Sequence, residues 1–138
     1  MKRTRHPLVL STALSGGGAE TVARLMVEHL DGASCLLFEN DANITVPETE
    51  IRVALARWNG NFLVTLLVNI WRLVVIQWVK LKLRPMVTIS HLEGPNIANV
   101  LTSFGGRKVL FVHNRPSHSY QEEIVRNKIK SKLVRILY

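Results

Sequence analysis

Leu8-Val9-Leu10-Ser11-Thr12-Ala13-Leu14-Ser15-Gly16-Gly17-Gly18-Ala19-Glu20-Thr21-Val22 is the stretch on which the fold turns. A short apolar run closed by glycines reads as a buried parallel strand, here residues 8–13, and residues 15–18 read as a tight loop. Over residues 19–30 the spacing predicts a helix with Val22, Leu25, Met26 and Leu30 on one face, stopped at Asp31-Gly32. Outward from there the alternation repeats. Residues 34–38 read as a strand, 40–50 as a polar loop holding Pro47, and 51–55 as a short edge strand. A strand is expected over 87–90, a loop over 91–95, a short helix over 96–104 closed by Gly105-Gly106, and a buried strand over 108–112. The loop 113–118 leads to a last helix reaching Tyr138, its start marked by the Ser119…Glu122 capping pattern. Strands alternating with helices of crossover length predict the α/β class, a Rossmann-like parallel sheet flanked by helices. The 138 residues are one domain's worth.

Residues 61–83 form a long apolar segment with Phe62, Trp71 and Trp78. Its length approaches the ~20 residues of a membrane-spanning helix. Asn69, Arg72 and Gln77 sit near its middle, however, and a charge at the bilayer centre is costly. Lys80, Lys82 and Arg84 cluster at its end beside the tryptophans. The expectation is a helix packed on the sheet, its basic end in water or in a headgroup layer. Lys2, Arg3 and Arg5 ahead of residues 8–14 imitate a signal peptide, but Ser11, Thr12 and Glu20 fit a first strand better.

Apolar residues make up 47% of the chain and charged residues 20%, which excludes disorder and collagen. Cys35 is the only cysteine, so an internal disulfide is excluded and a reducing compartment is the default. Net charge is +8, unevenly spread: residues 1–50 hold four Lys/Arg against seven Asp/Glu, and residues 51–138 hold fourteen against three. Such a basic second part calls for an anionic partner: nucleic acid, a phosphorylated substrate or a membrane surface.

Ligands of parallel sheets bind at the carboxyl ends of the strands, here the loops 15–18, 90–95 and 113–118. Gly16-Gly17-Gly18 between strand and helix lets backbone approach a ligand, and the helix N-terminus favours an anion. The run lacks both the G-x-G-x-x-G spacing and the Gly-Lys-Ser/Thr of a P-loop, so a plain tight turn explains it equally well. On spacing alone, His113 can bond a neighbouring loop and Glu93 can cap the helix that follows it. Arg115 can meet a phosphate or only water.

Three blocks resemble the N-terminal, acceptor-side domain of GT-B glycosyltransferases of family four. Residues 15–23 are similar to the glycine loop and first helix of that domain. Residues 88–100, Thr-Ile-Ser-His-Leu-Glu-Gly-Pro-Asn-Ile-Ala-Asn-Val, are similar to a strand, an acceptor-facing loop and a helix. Residues 109–114, Val-Leu-Phe-Val-His-Asn, are similar to a strand ending in a histidine. The resemblance implies half of a GT-B fold and transfer of a sugar from a nucleotide-sugar donor to an acceptor. It places Gly16, Gly17 and Gly18 near the donor phosphates and His113 facing the reacting sugar. It puts His91, Glu93, Asn96 and Arg115 in the acceptor pocket.

Family members carry a second domain that holds the donor, and no such domain is present in this sequence. A separate chain supplying it, or a truncated enzyme inactive in isolation, is the expectation, because half a site cannot stabilise the leaving pyrophosphate. The expected partners are a nucleotide-sugar cosubstrate, a glycan or lipid-linked acceptor and the anionic inner face of a membrane, with the protein cytoplasmic. No cofactor or metal is expected. A basic nucleic-acid-binding module, and a small membrane protein spanning with 61–83, remain the alternatives.

Overall fold

In the computed structural model, which describes residues 6–14, 17–39, 51–53 and 61–113, the strands are β1 (Leu8–Ser11), β2 (Ser34–Leu37), β3 (Ile51–Val53), β4 (Val87–His91) and β5 (Arg107–Phe111). They form one sheet in the order β3-β2-β1-β4-β5, and all four pairings are parallel. Helices α1 (Gly18–His29), α2 (Phe62–Leu83) and α3 (Glu93–Leu101) flank it. The chain is α/β with a Rossmann-like parallel sheet, as its alternation predicts. Ser15, Gly16, Arg115, the expected loop 40–50, the end of the expected strand 51–55 and the expected helix before Tyr138 lie outside the described residues.

The two-residue period of the strands sorts the core into two layers. Leu8, Leu10, Leu36 and Phe38 meet Ile76 and Val79 of α2 and Ala98 of α3. Val9, Cys35 and Leu37, on the other face, meet Ala23 and Val27 of α1 together with Leu14. Burial pushes the Cys35 thiol up to about 12, so it is an inert core side chain.

Two boundaries differ from the sequence reading for identifiable reasons. Residues 91–95 are not a loop: His91 completes β4 and α3 begins at Glu93 after one residue, Leu92. Pro95 falls in the first turn of α3, where a missing N–H goes unnoticed, so it does not break the helix. At its other end α3 stops at Leu101 and not at the glycines: Thr102 turns extended at φ −100°, ψ 147°, and its hydroxyl donates to the Ala98 carbonyl at 2.7 Å. Second, β5 is an edge strand and not a buried one; Arg107, Lys108 and Val109 are exposed.

Helix α2 ends where Arg84 turns left-handed at φ 47° before Pro85, its N–H donating to the Lys80 carbonyl at 2.8 Å. Its C-terminal half is fixed on both sides. Ile76 and Val79 enter the core, while Gln77 Oε1 accepts the Ser103 N–H at 2.8 Å beyond α3. Lys80 does not join a solvated basic end. It is fully buried, and its ammonium donates to Asn99 Oδ1 at 2.8 Å, to Thr102 Oγ1 at 2.7 Å and to the Asn99 carbonyl at 3.3 Å. Through Ile76, Val79 and Lys80, the C-terminal half of α2 is packed against the rest of the fold.

Candidate functional site

Strand order reverses between β1 and β4. From β1 the chain proceeds outward to β2 and β3, then crosses back to β4 and β5 on the other side. Helix α1 leaves β1 on one face of the sheet and α3 leaves β4 on the other. The loops therefore diverge at this point and leave a crevice above the strand ends, the usual ligand position of such sheets. A cleft of about 430 Å³ lies there, lined by Gly17, Gly18, Ala19, Glu20, Leu92 and His113.

Three separate segments thus meet at one rim: the glycine turn after β1, Leu92 after β4, and His113 just past β5. Gly17, Gly18 and His113 were expected at the site and line it; Ala19, Glu20 and Leu92 were not foreseen. Neither glycine is there for want of space. A Cβ on Gly18 would meet nothing within 4 Å, and one on Gly17 would only touch the Glu20 carboxylate at 3.5 Å. Gly17 holds an extended backbone, φ −84°, open to any residue. Neither packing nor backbone conformation requires a glycine at these two positions.

The N-terminus of α1 is not vacant, however. The Gly17 N–H donates to Glu20 Oε2 at 2.8 Å, so a carboxylate from the next turn already occupies the amide that a phosphate would use. An anion entering here displaces Glu20 or binds beside it against its charge.

His91 and His113 form the other wall. His91, buried at the end of β4, stacks on its register partner Phe111 with centroids 4.9 Å apart and planes 15° apart. Its Nδ1 lies 2.9 Å from His113 Nε2, and the two imidazoles also stack at 5.1 Å. Burial, and secondarily the neighbouring His113, lowers the His91 pKa to about 4, so its ring is neutral at pH 7. Among the described residues, His91 Nε2 is buried without a partner. An orphan lone pair is tolerated more often than an orphan N–H, which favours the tautomer with its hydrogen on Nδ1, directed at His113. His91 accordingly orients His113 and does not itself line the cleft.

Two other expected acceptor residues are placed elsewhere. Asn96 is buried, its amide donating to the Phe111 carbonyl at 3.0 Å, which fastens α3 to β5. Glu93 is half-buried in the first turn of α3, where a carboxylate suits the helix dipole, and is not among the lining side chains. Gly16 and Arg115 lie outside the described residues. Leu92 is the position that sequence reasoning had no means to find. It sits at φ 72°, ψ 164°, a region that essentially only glycine visits, at a cost of roughly 1–3 kcal/mol. Backbone strain of this kind concentrates at functional sites, and here it forms the cleft wall.

The chain matches no family model and no curated protein.

Proposed function

We propose that this domain is the acceptor-side half of a glycosyltransferase, taking part in transfer of a sugar from a nucleotide-sugar donor to an acceptor held against the rim of the sheet. One observation carries the reading: the glycine turn, Leu92 and His113, distant in sequence, line one cleft at the strand-order reversal. The blocks that resemble the family are the blocks that converge.

In this reading Gly17 and Gly18 let the donor pyrophosphate approach backbone amides at the start of α1, with no side chain in the way. His113, held by the neutral His91 ring, presents its imidazole to the sugar between the two substrates. The stack of Phe111, His91 and His113 fixes that ring before substrate arrives, and such preorganisation supplies much of an enzyme's electrostatic advantage. Donor binding in full, and therefore turnover, needs the second domain of the GT-B arrangement in addition to these residues.

Amide and imidazole NMR signals of the chain titrated with uridine diphosphate glucose test this. Perturbations confined to residues 17–20, 92 and 113, strengthened several-fold in Glu20→Gln, are expected. No response, or one spread over the basic surface and indifferent to Glu20, defeats the reading.

A further inference from the structure

The outer face of α2 is the largest feature that the cleft leaves unexplained. The helix is long and apolar enough to cross a membrane, with mean hydropathy 1.9 over an 18-residue window, yet only 11% of that window is buried. Leu67, Ile70, Trp71, Val74, Trp78 and Leu81 are all exposed, Trp71 and Trp78 by more than half. Their spacing of three and four residues makes one stripe, about 20 Å long at the rise of a helix. The exposed Leu101 and Phe104 extend it past α3: Leu101 lines a groove with Trp78 and Leu81, and Phe104 another with Leu81 and Arg84. A monomer rarely leaves so continuous an apolar surface to water without a use for it.

We propose that this face docks on an anionic lipid bilayer, with α2 lying in the headgroup layer. The charge pattern selects that occupant. From residue 51 to residue 92 there are six Lys/Arg and no Asp or Glu. Lys80 is withdrawn into the interior, but Lys82 and Arg84 are exposed at the end of the stripe, and Lys82 Nζ lies 5.0 Å over the Trp78 ring. Tryptophan with lysine at the margin of an apolar stripe matches a membrane interface, where rings sit at headgroup depth and cations reach lipid phosphates. A second copy of the chain would bring no carboxylate from this segment to either cation. Ile76, Val79 and Lys80 are committed to the core, so in this proposal the helix lies along the surface with its exposed stripe toward lipid. This inference is independent of the sugar-transfer reading, since its readout is lipid alone.

Co-sedimentation of the full chain with phosphatidylcholine vesicles, with and without phosphatidylglycerol, provides the test, alongside tryptophan fluorescence. Binding that rises with phosphatidylglycerol, falls with salt and shifts the emission to the blue is expected. Ile70→Glu with Val74→Glu, both at exposed positions, should abolish binding while leaving the thermal melt in place. Lys82→Gln with Arg84→Gln should weaken it about thirtyfold at low salt, the equivalent of ~1 kcal/mol for each cation. Vesicle binding that survives the glutamate variant overturns the proposal. So does a chain that ignores vesicles, including one that dimerises in solution and becomes monomeric in that variant, because the stripe would then be an interface between copies.

Discussion

Lys80 and His91 are both basic, both fully buried and both within reach of α3, yet their surroundings differ in kind. Lys80 spends every ammonium hydrogen on an acceptor, and Asn99, which supplies two of them, uses its own amide on the Thr88 carbonyl and Ser90 Oγ, each at 3.1 Å. That network is closed and ends inside the protein. His91 uses one nitrogen on His113 and, among the described residues, leaves the other without a partner, and the chain of contacts it belongs to ends at the cleft. A closed polar network locks two helices onto a sheet; the open one reaches the cleft through His113.

Truncating the closed network should have the largest effect. Lys80→Ala leaves a cavity and orphans Asn99 Oδ1, and we expect a loss of about 4 kcal/mol in urea unfolding. Lys80→Met refills the volume and removes a charge whose pKa burial, then Lys108, lowers to about 8, so its loss should be about half as large. Equal losses would mean that volume is irrelevant and only the hydrogen bonds count.

The open network should show itself through pH. The folded protein holds His91 at about 4 against an ordinary 6.5, so between these values the unfolded chain binds more protons and stability falls as pH falls. The loss is absent above pH 6.5 and complete below pH 4, amounting to about 3 kcal/mol. His91→Phe, which keeps a ring against Phe111, should flatten the stability profile in that window relative to the parent chain. An unchanged slope would remove His91 from the buried, neutral state described above.

Much of this was legible in the sequence, and the parts that were not share a cause. Apolar runs and glycine stops gave the α/β class, and residues 61–83 were placed to within a residue of Phe62–Leu83. That the loops carrying Gly17, Gly18 and His113 lie at the carboxyl ends of their strands also follows from the alternation. Lys80 was misplaced because its charge outweighed its register: it lies four residues after Ile76 and next to Val79, on the inward face. That spacing was the available signal. Asn96, expected in the acceptor pocket, fastens α3 to β5 through the Phe111 carbonyl, a partner its sequence position does not announce. Leu92 left no trace, since nothing in a leucine announces a glycine-like backbone. Polar partners are chosen in three dimensions, whereas apolar period is written along the chain.

The glycines repeat the contrast at smaller scale. Gly105 borders the closed network: a Cβ there would stand 2.5 Å from Thr88 Oγ1 and 2.8 Å from Lys80 Cε, while the Gly105 carbonyl accepts the Thr88 hydroxyl at 2.7 Å. Gly105→Ala should therefore cost about 2 kcal/mol by overpacking, measurable as a lowered midpoint of thermal unfolding. A neutral result would show that the lysine stem can move aside, and the network would be softer than its distances suggest.

Gly18 stands at the opposite extreme, in the first helical position with open space where a Cβ would go. Alanine there loses less chain entropy on folding and fits the helix better, so Gly18→Ala should leave stability unchanged or raise it by about 0.5 kcal/mol. Gly18 lines the cleft, so the same methyl is added at its wall. If the rim glycines serve a ligand, the variant should unfold like the parent yet lose most of its response to uridine diphosphate glucose. A variant that keeps the full response would show that the turn is merely a turn, and the functional weight would shift to Leu92 and His113.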